Sequence, residues 1–124
     1  MESNEARHSA AHYFLEGLNE VGFDYLFCNF GTDHAPLIEE MARWRREGLS
    51  YPKTILCPHE NVACHMAAGY AIATGRGQGV MVHVDAGTAN AAMAMRNLMV
   101  PSSGGDRTLR GRRLDSFLNS CRWL

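Results

Sequence analysis

Side chains able to move protons or grip a polar ligand are concentrated in three short segments: Asn29-Phe-Gly-Thr-Asp-His34, Pro58-His-Glu60 and His83-Val-Asp-Ala-Gly-Thr-Ala-Asn90. Glu60 is the acid of the middle segment, and its spacing places it in the first turn of a helix. A carboxylate there has two readings. It is a proton carrier if its surroundings tune it, or a partner for the helix macrodipole worth about 0.3–1 kcal/mol. His83 brings an imidazole, which titrates near neutral pH. A metal reading also has to be weighed, because Cys57, His59, Glu60, Cys64 and His65 fall within nine residues. The spacing argues against it: a zinc-binding helix needs histidines four apart around the glutamate, and four after His59 comes Ala63.

These segments must be positioned by the elements around them. Ala10, Phe14, Leu18 and Val21 recur at helical spacing, and Gly22 follows as a stop. Residues 24–30 form a short apolar and aromatic run ended by Gly31-Thr-Asp, the pattern of a buried strand. Pro36 suits a first helical turn, and Leu37, Ile38, Met41 and Trp44 carry that helix to about Arg46. Lys53 to Cys57 is a second strand, closed by Pro58. From Glu60 to Thr74, Val62, Ala63, Met66, Ala67, Tyr70 and Ala71 mark a helix face, with Gly75 and Gly77 beyond it. Ala63, Ala67, Ala68, Gly69 and Ala73 would let this helix approach another backbone closely. Gly79 to Asp85 reads as a third strand and Ala86 to Asn90 as a turn feeding a last helix to about Met99.

Alternating helices and strands predict an α/β fold, a parallel sheet with flanking helices and right-handed crossovers. Ligands of such sheets gather at the carboxyl ends of the strands. All three polar segments lie there.

The chain has 124 residues, of which 46% are hydrophobic, enough for one core. A net charge of -1 and a pI of 6.6 give no pull toward nucleic acid or an anionic membrane. The polar, acidic start is unlike a signal peptide, and apolar runs fall far short of the roughly 20 residues a membrane helix needs. Cys28, Cys57, Cys64 and Cys121 lack the spacing of a disulfide framework and read as reduced. A cytoplasmic protein with a small-molecule role is the expectation.

The uninterrupted run Leu56-Cys-Pro-His-Glu-Asn-Val-Ala-Cys-His-Met-Ala-Ala-Gly-Tyr-Ala-Ile-Ala-Thr-Gly75 resembles the segment that presents the cofactor-activating glutamate in thiamine-diphosphate-dependent enzymes, acetolactate synthases and benzoylformate decarboxylases among them. Asn29 to His34 is similar to the turn after the first strand in the benzoylformate decarboxylase branch. Gly87-Thr-Ala-Asn90 is similar to the turn that packs near the cofactor. The resemblance implies the thiamine-diphosphate-binding fold, specifically its N-terminal aminopyrimidine-binding domain over residues 1–99, left incomplete. It implies that Glu60 hydrogen-bonds the pyrimidine and drives formation of the C2 ylid, while the cofactor carries out the carbon–carbon chemistry. It further implies cofactor contacts at Glu60, Gly87, Thr88 and Asn90, and substrate contacts at Thr32 and His34. His83 would be a proton shuttle to the substrate adduct, with a histidine that merely hydrogen-bonds at a strand end as the alternative. Acetolactate synthases lack that histidine, which favours decarboxylase-like or lyase-like chemistry.

After residue 99 the composition changes. Residues 1–99 carry 7 basic and 11 acidic groups, and residues 100–124 carry 5 and 2, so a balance of -4 gives way to +3. Periodicity is lost, and the next apolar strand an α/β domain would supply does not come. The expectation is an atypical basic tail outside the native fold, from truncation or a shifted frame, with a disordered or partner-bound tail as the alternative. The Gly-Asp-Gly motif that holds the diphosphate and Mg²⁺ in the family is missing; Gly104-Gly-Asp106 is followed by Arg107. The resemblance thus implies that Mg²⁺ sits on a missing domain or a partner, never on this chain, and that the partner is a second copy or a chain with the diphosphate-binding domain. The complete enzyme would act on a small 2-oxo acid. A separate non-catalytic subunit that completes a site with such a partner is the alternative.

Overall fold

The computed structural model describes residues 8–99. The tail expected to be atypical, with Cys121, lies outside them. Four helices and three strands alternate in chain order: α1 (Ala10–Val21), β1 (Tyr25–Cys28), α2 (Ala35–Glu47), β2 (Lys53–Leu56), α3 (Glu60–Thr74), β3 (Gly79–Met81) and α4 (Val84–Met99), with a 3-10 turn at Thr32–His34. The strands form one parallel sheet in the order β2-β1-β3, as the α/β pattern predicts.

Local chemistry sets most boundaries. The Ser9 hydroxyl accepts from His12 N–H at the start of α1, the His59 ring accepts from Asn61 N–H at the start of α3, and left-handed Gly22, Gly48 and Gly75 close the first three helices. β1 is the central strand, so it is buried along nearly its whole length, and its alternating side chains serve both faces. Leu26 packs with Leu15, Leu18, Leu37, Met41 and Trp44 of α1 and α2. Phe27 packs on the other face with Ala63, Ala67, Ala68 and Ala71 of α3. Gln78, fully buried, ties the two strands at their start: its carbonyl accepts from Asp24 N–H and Tyr25 N–H at 3.0 and 2.7 Å.

Three expectations are corrected. The buried face of α1 is His12, Leu15 and Leu18, while Val21 is exposed, because His12 turns inward to a buried partner on α2 and rotates the helix with it. On α3 the buried face is Glu60, Ala63, Cys64, Ala67, Ala68 and Ala71; Val62 and Met66 are exposed, since a helix packed on both β1 and α4 buries its small residues. The third correction bears on the site. β3 stops at Met81, where β1 runs out of partners after Asn29 N–H donates to Met81 O. The chain turns at Val82–His83, and α4 begins at Val84, which takes a left-handed φ of 42°. Residues 84–90, expected as strand end and turn, are therefore the first turns of a helix, with Gly87 N–H donating to His83 O at 2.9 Å.

Candidate functional site

The chain leaves β1 for β2 on one side and then crosses back to β3 on the other, so the carboxyl ends of β1 and β3 flank the point where strand order reverses. Crevices of this kind bind ligands in open α/β sheets. Asn29 follows β1 there, His83 follows β3, and Glu60 opens α3 beside them.

Glu60 is 5% exposed. Its two carboxylate oxygens are shared between two amides: Asn29 Nδ2 donates to Oε1 and Asn90 Nδ2 donates to Oε2, both at 3.0 Å. Gly87 makes room for them. A Cβ on it would stand 3.0 Å from Glu60 Oε1 and 3.3 Å from Val82 Cβ, so a side chain there would crowd the carboxylate. The Glu60 carboxyl is held below its ordinary pKa, first by its own backbone N–H at the head of α3; burial opposes this, and the amides of Asn90 and Asn29 and the His59 ring reinforce it. Glu60 is thus a buried anion at neutral pH. No lysine or arginine is among its hydrogen-bond or ion-pair partners in the described residues, where its ion-pair contact is with His59, whose Nδ1 lies 3.9 Å from Oε2.

A second cluster stands two residues along the β1 turn. His83 Nδ1 is 2.5 Å from Asp33 Oδ1, and Gly31 N–H donates to His34 Nδ1 at 2.9 Å. The two rings meet edge to face with centroids 5.9 Å apart. Gly31 is obligatory here, because a Cβ would fall 2.0 Å from His83 Nδ1. Partial burial raises the Asp33 carboxyl, but the His83 hydrogen bond and the neighbouring His34 and His83 rings outweigh it and leave the pKa below its ordinary value. Asp33, His34 and His83 also offer ligand atoms within 4.8 Å of one another.

Of the residues expected in the site, Glu60, Gly87 and Asn90 come together, and so do His34 and His83. Asn90 meets the Glu60 carboxylate directly. Thr88 is turned away: its hydroxyl donates back to Val84 O at 2.9 Å along its own helix. Thr32 is exposed on the 3-10 turn. Asn29, Gly31 and Asp33 join these residues without being individually expected there; their signal in the sequence is the concentration of polar side chains and glycine in the Asn29–His34 motif, directly after a buried strand.

Residues 8–104 match the family model for the thiamine pyrophosphate enzyme, N-terminal TPP-binding domain. The chain belongs to this family. Comparison with curated proteins gives no match, and neither does comparison with solved structures. Membership associates the chain with thiamine diphosphate, and the chemistry of the site is compatible with the pyrimidine end of that cofactor: a buried carboxylate beside a glycine cradle that any Cβ would fill. It does not fit the Mg²⁺-diphosphate end. That ion takes an octahedral oxygen set, whereas the one candidate cluster among the described residues has two imidazoles and one carboxylate. Cys28, Cys57 and Cys64 are free and buried, and burial pushes their thiols up, Cys28 to about 12, which disfavours the reactive thiolate form. No described helix is long and apolar enough to cross a membrane.

Proposed function

We propose that this chain is the pyrimidine half of a thiamine-diphosphate-dependent enzyme of acetolactate synthase-like or 2-oxo acid decarboxylase-like type, with Glu60 as its proton-relay residue. One observation carries the reading: Glu60 is a buried carboxylate at the strand ends, held by two neutral amides and no hydrogen-bonded cation. A cation would fix the charge, whereas amides orient the carboxylate and leave it able to share a proton with a ring nitrogen. Bound thiamine diphosphate supplies the nucleophilic carbon and the electron sink for carbon–carbon bond making or breaking. Glu60 holds the proton at the pyrimidine, Asn29 and Asn90 keep its oxygens aimed, and Gly87 leaves the space. His83, at the end of β3, supports the decarboxylase-like branch as a proton shuttle, with His34 and Thr32 on the substrate side.

A second reading of the same site is a small non-catalytic subunit whose cofactor is anchored by a partner chain carrying the diphosphate-binding domain; the match to the N-terminal TPP-binding domain accommodates it equally. A second copy of this chain as the partner predicts cofactor anchoring without that chain. Co-expression with a diphosphate-domain chain separates these readings by whether cofactor binding requires it.

The relay role is tested by C2 hydrogen–deuterium exchange of thiamine diphosphate in the assembled enzyme. Glu60→Gln should leave cofactor affinity within about threefold and slow exchange by about 10²–10⁴-fold, the usual worth of a positioned proton carrier. Exchange at the wild-type rate would remove Glu60 from the mechanism.

A further inference from the structure

The hydrogen bonds of the second cluster specify where the protons sit. Gly31 N–H can only donate, so His34 Nδ1, 2.9 Å away, must accept, and the proton of the neutral ring is at Nε2. Ionised Asp33 can only accept, so His83 Nδ1, at 2.5 Å, must donate, and the lone pair of that neutral ring is at Nε2. We propose that the Asn29–His34 turn locks the two histidines in opposite tautomers, His34 presenting an Nε2–H donor and His83 an Nε2 acceptor, with Asp33 as the positioning residue.

The arrangement has three supports. The Gly31 position admits the His83 ring only because it lacks a Cβ. His34 Nδ1 also lies 3.3 Å from Asp33 Oδ1, but the shorter contact from Gly31 N–H takes its lone pair, so Asp33 is left to His83. The depressed Asp33 pKa keeps that carboxylate ionised at neutral pH, as an acceptor must be. The same proton placement leaves the cluster a single free imidazole lone pair, at His83 Nε2, and so disfavours a metal ion held by both histidines: His34 Nδ1 is filled by a backbone donor, and His34 Nε2 and His83 Nδ1 carry hydrogen.

Functionally, the pair offers one donor and one acceptor on rings whose centroids are 5.9 Å apart. That suits a small oxo acid which presents a carboxylate or carbonyl oxygen to His34 and an O–H, its own or a water's, to His83. This ligand assignment rests on the strand-end site proposed above; the tautomers do not.

The test is long-range ¹H–¹⁵N correlation of the histidine rings in the ¹⁵N-labelled full chain, at a pH where both are neutral. The expected result is the Nδ1–H pattern for His83 and the Nε2–H pattern for His34. In Asp33→Ala the His83 proton should move to Nε2 while His34 keeps its pattern. An Nε2–H pattern for wild-type His83, an unchanged pattern in Asp33→Ala, or ring shifts of both histidines on adding Zn²⁺ would each overturn the proposal. If Asp33→Ala fails to fold, the wild-type spectrum alone decides. None of these readouts involves the cofactor, so a failed exchange test of Glu60 and a failed tautomer test are separate results.

Discussion

Two buried glutamates stand in opposite circumstances. Glu40, between α1 and α2, lies in a hydrogen-bonded cluster: His12 Nδ1 and Trp44 Nε1 are each 2.9 Å from Oε1, the Arg43 guanidinium pairs with it, and Trp44 Nε1 also donates to His12 Nδ1. Its carboxyl is driven to about 2, above all by the Arg43 hydrogen bond, which outweighs burial, with His12 and Trp44 adding to it. Glu60, at the strand ends, is equally buried but meets only Asn29 and Asn90 through side-chain hydrogen bonds. A carboxylate tied to a cation has its proton affinity spent on structure. One tied to amides is oriented and still available. Both sites satisfy their buried polar atoms, so hydrogen-bond satisfaction alone does not separate them; the charge of the partner does, and the relay role proposed for Glu60 rests on that difference.

The comparison is broken or sharpened by the following substitutions. The largest effect is the loss of about 10²–10⁴-fold in C2 exchange for Glu60→Gln, and the same change at Glu40 should leave exchange within about threefold. Stability should show the reverse order. Glu40→Ala removes the carboxylate that His12, Arg43 and Trp44 share and should cost about 1–3 kcal/mol by urea denaturation; Glu60→Gln, which keeps the shape and one acceptor, should cost less than about 1 kcal/mol. If Glu60→Gln proves the more destabilising, the division of roles fails. Gly87→Ala should cost about 1 kcal/mol by overpacking against Glu60 and Val82, with thermal melting as the readout.

The smallest effect is in the pH profile. A carboxyl whose folded pKa lies below its unfolded value contributes stability that is fully present above the unfolded value and lost as pH falls through the folded one. For Glu40 that window runs from 4.5 down to about 2. Denaturation midpoints of Glu40→Gln should therefore fall less than those of wild type between pH 5 and 2.5, conditions chosen to span roughly that interval. An identical acid slope in the two proteins would show that Glu40 is not held as the structure implies.

How much of this the sequence discloses follows from how local each cause is. The α3 boundaries were legible to the residue, because Pro58 before the helix and Gly75 after it are neighbours in the chain. Glu60 was legible for the same reason, sitting at a strand-to-helix junction. Glu40 was not: its partner His12 lies 28 residues away, and a histidine among apolar residues on α1 gives no sign that it faces inward. The end of β3 is not legible because Val80, Val82 and Val84 alternate as a strand would, while its pairing with β1 ends at Cys28 and Met81, a register that local sequence does not disclose. The Asp33–His83 pair, separated by 50 residues, needed the sheet order before it could be seen.

The small residues between α3 and α4 carry a consequence for how this sequence is free to drift. Asn90 reaches Glu60 from a different helix, and the gap between those helices is set by a seam of Cys64, Ala91 and Ala94. Seams built from the smallest side chains have almost no slack: one added methylene pushes two rigid cylinders apart as a whole. Replacements along the seam, none touching a ligand, would thus register as a loosened amide grip on Glu60 while the sheet stays intact. The seam is a gauge block, and the tolerance of the site is machined into residues that take no part in its chemistry.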